Sequence, residues 1–160
     1  MSIRIGFGTD CHRLEPGGNG FPLCGVLLDC PLAVVAVSDG DAAIHALVDA
    51  LLGAAGLGDI GDHYPENKVV SGGSSERFLR ETAARITALG GEIVNIDLVV
   101  DLQQPKLGPR KREMADNIAR ILEMPDARVN VKAKTGEGVG PIGLGQAVAA
   151  QAAVLVEFPE

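Results

Sequence analysis

Tryptophan is absent from this 160-residue chain, tyrosine occurs once and aromatic residues make up only 3%. A core built on large rings is therefore excluded, and Ala, Val, Leu and Ile must fill it instead. Cysteine is scarce. Cys11, Cys24 and Cys30 are odd in number and form no C-x-x-C pair, so no disulfide framework is expected and the thiols read as reduced, in a cytoplasmic protein. The opening MSIRIGFG has no leader-like apolar core. No apolar run approaches the ~20 residues a membrane span needs. Positive charge is in deficit, 14 Lys and Arg against 21 Asp and Glu for a net −7, which argues against a general nucleic-acid or anionic-membrane partner. The cations present are clustered in PKLGPRKR (105–112) and VKAKTGE (131–137), which leaves room for a local phosphate site.

Apolar residues reach 46%, and 21 glycines imply many tight turns or close backbone approaches. SIRIGFGTDCH reads as a strand. FPLCGVLLDCPL reads as a hairpin or ragged strand pair, after a turn carrying Gly17, Gly18 and Gly20. A long helix over 40–57 is closed by glycines, with Ser38 and Asp41 as a loose capping box. HYPENKVVSGGSS is a polar loop without period. SERFLRETAARITALGG is an amphipathic helix with Phe78, Leu79, Ala83, Ile86 and Leu89 on its apolar side. EIVNIDLVVDL and ARVNVKAK are strands, and PRKREMADNIARILEM is a helix with proline at its start. QAVAAQAAVLVEF is ambiguous: its alanines favour helix and its closing VLVEF favours strand. There is no internal repeat or low-complexity linker, so one α/β domain over 1–160 is expected.

The 40–57 helix is apolar almost all round, as a helix buried on most sides must be. Three polar residues interrupt it, Asp41, His45 and Asp49, and their i, i+4, i+8 spacing puts them on one narrow face. Either solvent or a ligand must satisfy them, because burying them unpaired is costly. On the first strand, Asp10 and His12 point to one side and Cys11 to the other. Joined to His45, Asp10 and His12 give two imidazoles and a carboxylate, the ligand set of a catalytic zinc centre with an open fourth position. Cys11, facing away, is left out of that set.

GFGTDCHRL, SDGDAAIHALVDALLGAAGLGDIG, QQPKLGP and VNVKAKTGEG, in this order over essentially the whole chain, resemble the 2-C-methyl-D-erythritol 2,4-cyclodiphosphate synthase family, the cyclising enzymes of non-mevalonate isoprenoid biosynthesis. The resemblance implies an α+β-type fold, one mixed β-sheet with helices on one face, assembled as a homotrimer around a central axis with active sites between subunits. It implies a phosphorus–oxygen lyase acting on a cytidine diphosphate ester, whose 2-phosphate attacks the β-phosphorus and expels CMP. It implies Zn²⁺ on Asp10, His12 and His45, and a second divalent ion (Mg²⁺ or Mn²⁺) on Glu137. Asp59, Ile60 and Gly61 would seat the methylerythritol hydroxyls, and Asp49 would orient the site. Lys106 and Leu107, with Ala133, Lys134 and Thr135, would form the cytidine and phosphate pocket. Lys106, Thr135 and Glu137 would act on the phosphates during reaction. Cys11, Val37, Ser38, Leu102, Gly108, Gly136, Pro141 and Leu144 complete the implied substrate contacts.

Three departures from the family pattern stand out. Val37 occupies the position of a loop histidine that helps stabilise the transition state; its loss is worth ~10²-fold if that donor faces developing charge, unless Ser38 or a backbone N–H substitutes. Lys134 replaces part of a threonine-rich segment and adds a cation near phosphate. Pro141, Leu144 and Gln146 stand where an aromatic residue, arginine and glutamate are usual. Val37, Leu144 and Gln146 keep open a second reading, a catalytically drifted trimeric metal- and nucleotide-binding paralogue. A third, a small zinc hydrolase, lacks an evident general base. In the family the arginine faces an apolar cavity on the trimer axis where isoprenyl diphosphates bind. With Leu144 there, calorimetry with geranyl diphosphate is expected to show no tight binding; submicromolar affinity at the axis would contradict this.

Overall fold

Two glycines decide how the first strand and the buried helix meet. In the computed structural model, which describes every residue except Val70 in the 63–75 loop, β1 (Ser2–Pro16) lies directly beneath α1 (Ala42–Ala55). A Cβ on Gly6 would sit 1.7 Å from the Ala50 carbonyl oxygen, and one on Gly8 2.1 Å from that of Ala46. Only hydrogen fits there. The helix answers with Ala43, Ala46, Ala50 and Ala54, so small residues on both sides let backbone approach backbone.

The main sheet has the order β4-β1-β7-β5-β6. β4 (Leu32–Val35), β1, β7 (Ala147–Phe158) and β5 (Glu92–Asp101) pair antiparallel, and β6 (Val129–Lys134) joins β5 in parallel. The parallel pair is connected through α4 (Lys111–Leu122), as a crossover requires. α3 (Ser75–Ala88) and α4 carry apolar stripes that bury Phe78, Leu79 and Ile86, and Met114, Ile118 and Ile121. The core lies between these helices and the sheet face bearing Val148, Ala150, Ala152, Val154 and Val156 of β7 and Ile96, Leu98 and Val100 of β5. Fully burying Ile44, Leu47, Leu51 and Leu52 of α1 contributes about 1.5–3 kcal/mol each. The other sheet face is open: Ile3, Ile5 and Phe7 are 62%, 75% and 65% exposed. No single described helix is long and apolar enough to cross a membrane.

Several elements differ from the sequence-based expectations. The ambiguous C-terminal run is β7, the central strand, because pairing to strands on both sides outweighs alanine's local helix preference. β1 continues four residues past His12 and there pairs with β4. The hairpin proper is β2 (Phe21–Leu23) with β3 (Val26–Leu28), turned by Cys24 and Gly25, both at positive φ as a primed turn requires. The long helix stops at Ala55, where Gly56 adopts the left-handed conformation, and a separate short helix, α2 (Ile60–His63), follows. α1 is capped by Asp41, not by a Ser38–Asp41 box. Burial works against ionisation of Asp41 and raises its carboxyl, but it accepts from the N–H groups of Ile44 (3.0 Å), Cys24 (3.0 Å) and Gly25 (2.6 Å). It thus ties the hairpin turn to the helix N-terminus. All three cysteines are free, and burial pushes the Cys24 thiol well above its usual range.

Glycines on α1 and β1 differ in what they do, and substitution separates them. Gly6→Ala is expected to cost about 3 kcal/mol or more in urea unfolding, since its obstruction is backbone that cannot turn aside. Gly53→Ala, with nothing within 4 Å of the added carbon, is expected to stabilise by about 0.5–1 kcal/mol. Equal effects would contradict the close-approach account.

Candidate metal centre and active site

The approach of α1 to β1 brings the two halves of the polar pattern together. Asp10 and His12 leave β1 on the helix side, and His45 descends from the second turn of α1. His12 Nε2 lies 2.7 Å from Asp10 Oδ2, His45 Nδ1 lies 3.1 Å from the same oxygen, and the two ring nitrogens are 3.2 Å apart. All three ligand atoms fall within 4.8 Å of one another, the one such cluster of metal-ligating side chains among the described residues. Burial opposes ionisation of Asp10, yet the hydrogen bonds from His12 and His45 outweigh it and hold its carboxyl well below the usual carboxylate range. The Asp-His-His donor set, converging on one point and open to a cleft, fits zinc.

His45 is held from its other side. Its Nε2 lies 2.8 Å from Ser75 Oγ and 3.2 Å from Ser38 Oγ. Ser75 donates its hydroxyl to Asp39 Oδ1 and its N–H to Asp39 Oδ2 (2.9 Å). Ser38 Oγ also accepts the Gly40 N–H at 3.2 Å. Asp49, one helical turn beyond His45, accepts the Ile60 N–H at 2.7 Å and so anchors the start of α2. Burial raises the Asp49 carboxyl, against the lowering effect of that N–H.

These groups open into a cleft of about 540 Å³ lined by Asp10, His12, His45, the Val35–Ser38 segment, Ile60, Gly61, Tyr64, Glu66, Val69 and Phe78. Tyr64 stacks on Phe78 with ring centroids 4.4 Å apart, and Phe78 stands 6.2 Å from His45. Val37 and Ser38 line the cleft, as do Ile60 and Gly61. Asp59 is at the α2 N-cap, where its side chain accepts the Asp62 N–H at 3.1 Å. Cys11 is exposed on the opposite sheet face, outside the cleft.

The remaining predicted site residues lie elsewhere in the chain. Asp10 pairs with Ala150, Ala150 with Val100 and Val100 with Ala133, so the end of β6 is three strands, roughly 14 Å, from the Asp10–His12–His45 cluster. Lys106, Lys134 and Glu137 are exposed there, with Gly108 beside them and Ala133, Thr135 and Gly136 half-buried. Leu102 and Leu107 point into the core. Glu137 is at positive φ, and its carboxylate accepts the Thr135 hydroxyl at 2.6 Å. Pro141 and Leu144 are exposed at α5 (Gly140–Gly143) and its C-cap. None of Lys106, Leu107 and the 133–137 segment lines the cleft.

Sequence pattern gives no warning of Ser75, Asp39 or Phe78 at the site. Ser75 follows His45 by 30 residues, and Phe78 reads as one more core position of an amphipathic helix. Only the packing of α3 against α1 brings them in.

The family model described as "YgbB family" matches residues 3–157. A 2-C-methyl-D-erythritol 2,4-cyclodiphosphate synthase from Thermus thermophilus is 45% identical over 156 residues, covering 97% of this chain and 99% of the relative. A bifunctional enzyme IspD/IspF from Rhodospirillum rubrum is 46% identical over 98% of this chain, which spans only 41% of that relative's length. A solved structure of 2C-methyl-D-erythritol-2,4-cyclodiphosphate synthase in a CDP-bound form superposes with a TM-score of 0.88 at 43% identity, covering 96% of this chain and all of the other. A match along nearly its entire length, a relative of equal size at 45% identity and a shared fold lead to one conclusion: the chain belongs to the YgbB family.

Proposed function

We propose that the chain converts 4-diphosphocytidyl-2-C-methyl-D-erythritol 2-phosphate to 2-C-methyl-D-erythritol 2,4-cyclodiphosphate and CMP. The observation that carries this reading is the convergence of Asp10, His12 and His45 at the mouth of a cleft, in a chain whose equal-length relatives bear the synthase name. In the reaction, an oxygen of the 2-phosphate forms a bond to the β-phosphorus. The bond from that phosphorus to the bridging oxygen breaks, and the electron pair leaves with CMP. The attacking group is already an anion, so no side chain need remove a proton from it. Zinc held by Asp10, His12 and His45, with a second divalent ion at Glu137, would supply charge neutralisation and polarise the phosphoryl oxygens.

The protein's own groups do the rest. Asp49, by gripping the Ile60 N–H, fixes the wall against which the methylerythritol unit would rest. Tyr64 and Phe78 wall the cleft with stacked rings beside His45. Lys106 and Lys134 present cations for the diphosphate, and Thr135 is set against Glu137. Correct placement does much of the work, because a well-oriented intramolecular attack has a very large effective molarity.

Cleft and phosphate-binding segment lie about 14 Å apart within one copy. A neighbouring copy supplying its 106–108 and 133–137 segments would complete the site. The open sheet face with exposed Ile3, Ile5 and Phe7 supports a homotrimer closed around that face, each copy a single domain over 1–160. Free thiols suit the cytoplasm.

Purified protein given the cytidine substrate with Mg²⁺ and Zn²⁺ is expected to release CMP with cyclic product, and sedimentation is expected to give three copies. Linear product or no CMP would overturn the assignment, and a monomeric mass with full activity would overturn the shared site. His45→Ala is expected to lower kcat/KM by at least about 10³-fold, a loss of several kcal/mol of electrostatic stabilisation, and to abolish zinc uptake.

A further inference from the structure

We propose that Ser75 and Asp39 act as a positioning pair that holds a hydrogen on His45 Nε2 and so leaves Nδ1 as the nitrogen that ligates the cation. This rests on the metal reading above. A serine hydroxyl has one hydrogen and two lone pairs. The Ser75 hydrogen goes to Asp39 Oδ1, and Asp39 Oδ2 is fixed by the Ser75 N–H at 2.9 Å. Asp39 Oδ1 also takes the Asp41 N–H at 3.3 Å, and the Asp39 N–H donates to Gly73 O at 3.0 Å, so the carboxylate cannot swing away. Ser75 Oγ therefore offers only lone pairs to His45 Nε2, 2.8 Å away.

Two lone pairs at that distance would repel, so Nε2 must carry the hydrogen. Nδ1, the nitrogen facing Asp10 Oδ2 at 3.1 Å and His12 Nε2 at 3.2 Å, is then the one that ligates, giving up any hydrogen it shares with Asp10 as the cation binds. Ser38 alone would not decide the matter. Its hydroxyl, 3.2 Å from Nε2, is free to donate or accept and would tolerate either tautomer. Ser75 is completely buried, so water cannot substitute for it. Outer partners of metal-bound histidines typically carry 10–100-fold in affinity. The pair further ties the N-terminus of α3 to the metal centre.

Histidine ¹⁵N spectra of the metal-free wild type are expected to show His45 with hydrogen on Nε2. In Ser75→Ala the form lacking the Nε2 hydrogen is expected to gain population, and the zinc dissociation constant, measured by chelator competition, to rise ~10–100-fold. Ser75→Thr, which keeps the hydroxyl, is expected to restore both. Asp39→Ala is expected to weaken zinc alone but add nothing on top of Ser75→Ala. A metal-free wild-type His45 without hydrogen on Nε2 would overturn the proposal. So would a Ser75→Ala protein that binds zinc like the wild type. A wild type that takes up no zinc would instead sink the metal reading itself, and the pair's task with it.

Discussion

Everything at the site depends on the contact between the backbones of β1 and α1. Gly6 and Gly8 remove the side chains that would hold the helix off the sheet, and the alanines of α1 remove them from the other side. His45 can reach Asp10 and His12 only because that gap is closed. A larger residue at either glycine would have to move backbone, and the ligand atoms, now within 4.8 Å of one another, would separate. Packing and chemistry are thus the same constraint here.

The polar stripe of α1 divides its labour along the helix. Asp41 is wholly structural: it accepts three backbone N–H groups and is sealed from solvent. His45, one turn on, faces both the ligand cluster and the Ser75–Asp39 pair. Asp49, a further turn on, holds α2 and with it Ile60 and Gly61 of the cleft. Three residues at equal spacing therefore join the hairpin, the metal ligands and the cleft wall to one rigid helix.

How much of this is legible in the sequence follows from the range of each signal. The i, i+4, i+8 stripe and the alternation of Asp10, Cys11 and His12 are local; the alternation, His45 and Asp49 appear as the spacing implies, whereas Asp41 caps the helix and is satisfied by backbone N–H groups instead of solvent or a ligand. The C-terminal run is not legible locally, because its alanines suit a helix and only its partners β1 and β5 make it a strand. The same holds for the cap of α1, where Ser38 and Asp41 both have the right chemistry and only the folded turn shows that Asp41 takes the Ile44 N–H while Ser38 turns toward His45. Ser75 and Asp39 reach the site through tertiary packing and leave no periodic trace. The 106–108 and 133–137 segments are connected to the site only through family resemblance, since the fold leaves them three strands away from the cleft.

The central claim is that Asp10, His12 and His45 hold one cation. Diffraction from crystals of the zinc-supplemented protein, recorded across the zinc absorption edge, tests it most directly. The account predicts a single strong anomalous peak in each copy, bonded to Asp10 Oδ2, His12 Nε2 and His45 Nδ1 and open to the cleft. No peak there, or a zinc ion bound elsewhere with these three side chains bonded only to one another, would contradict it.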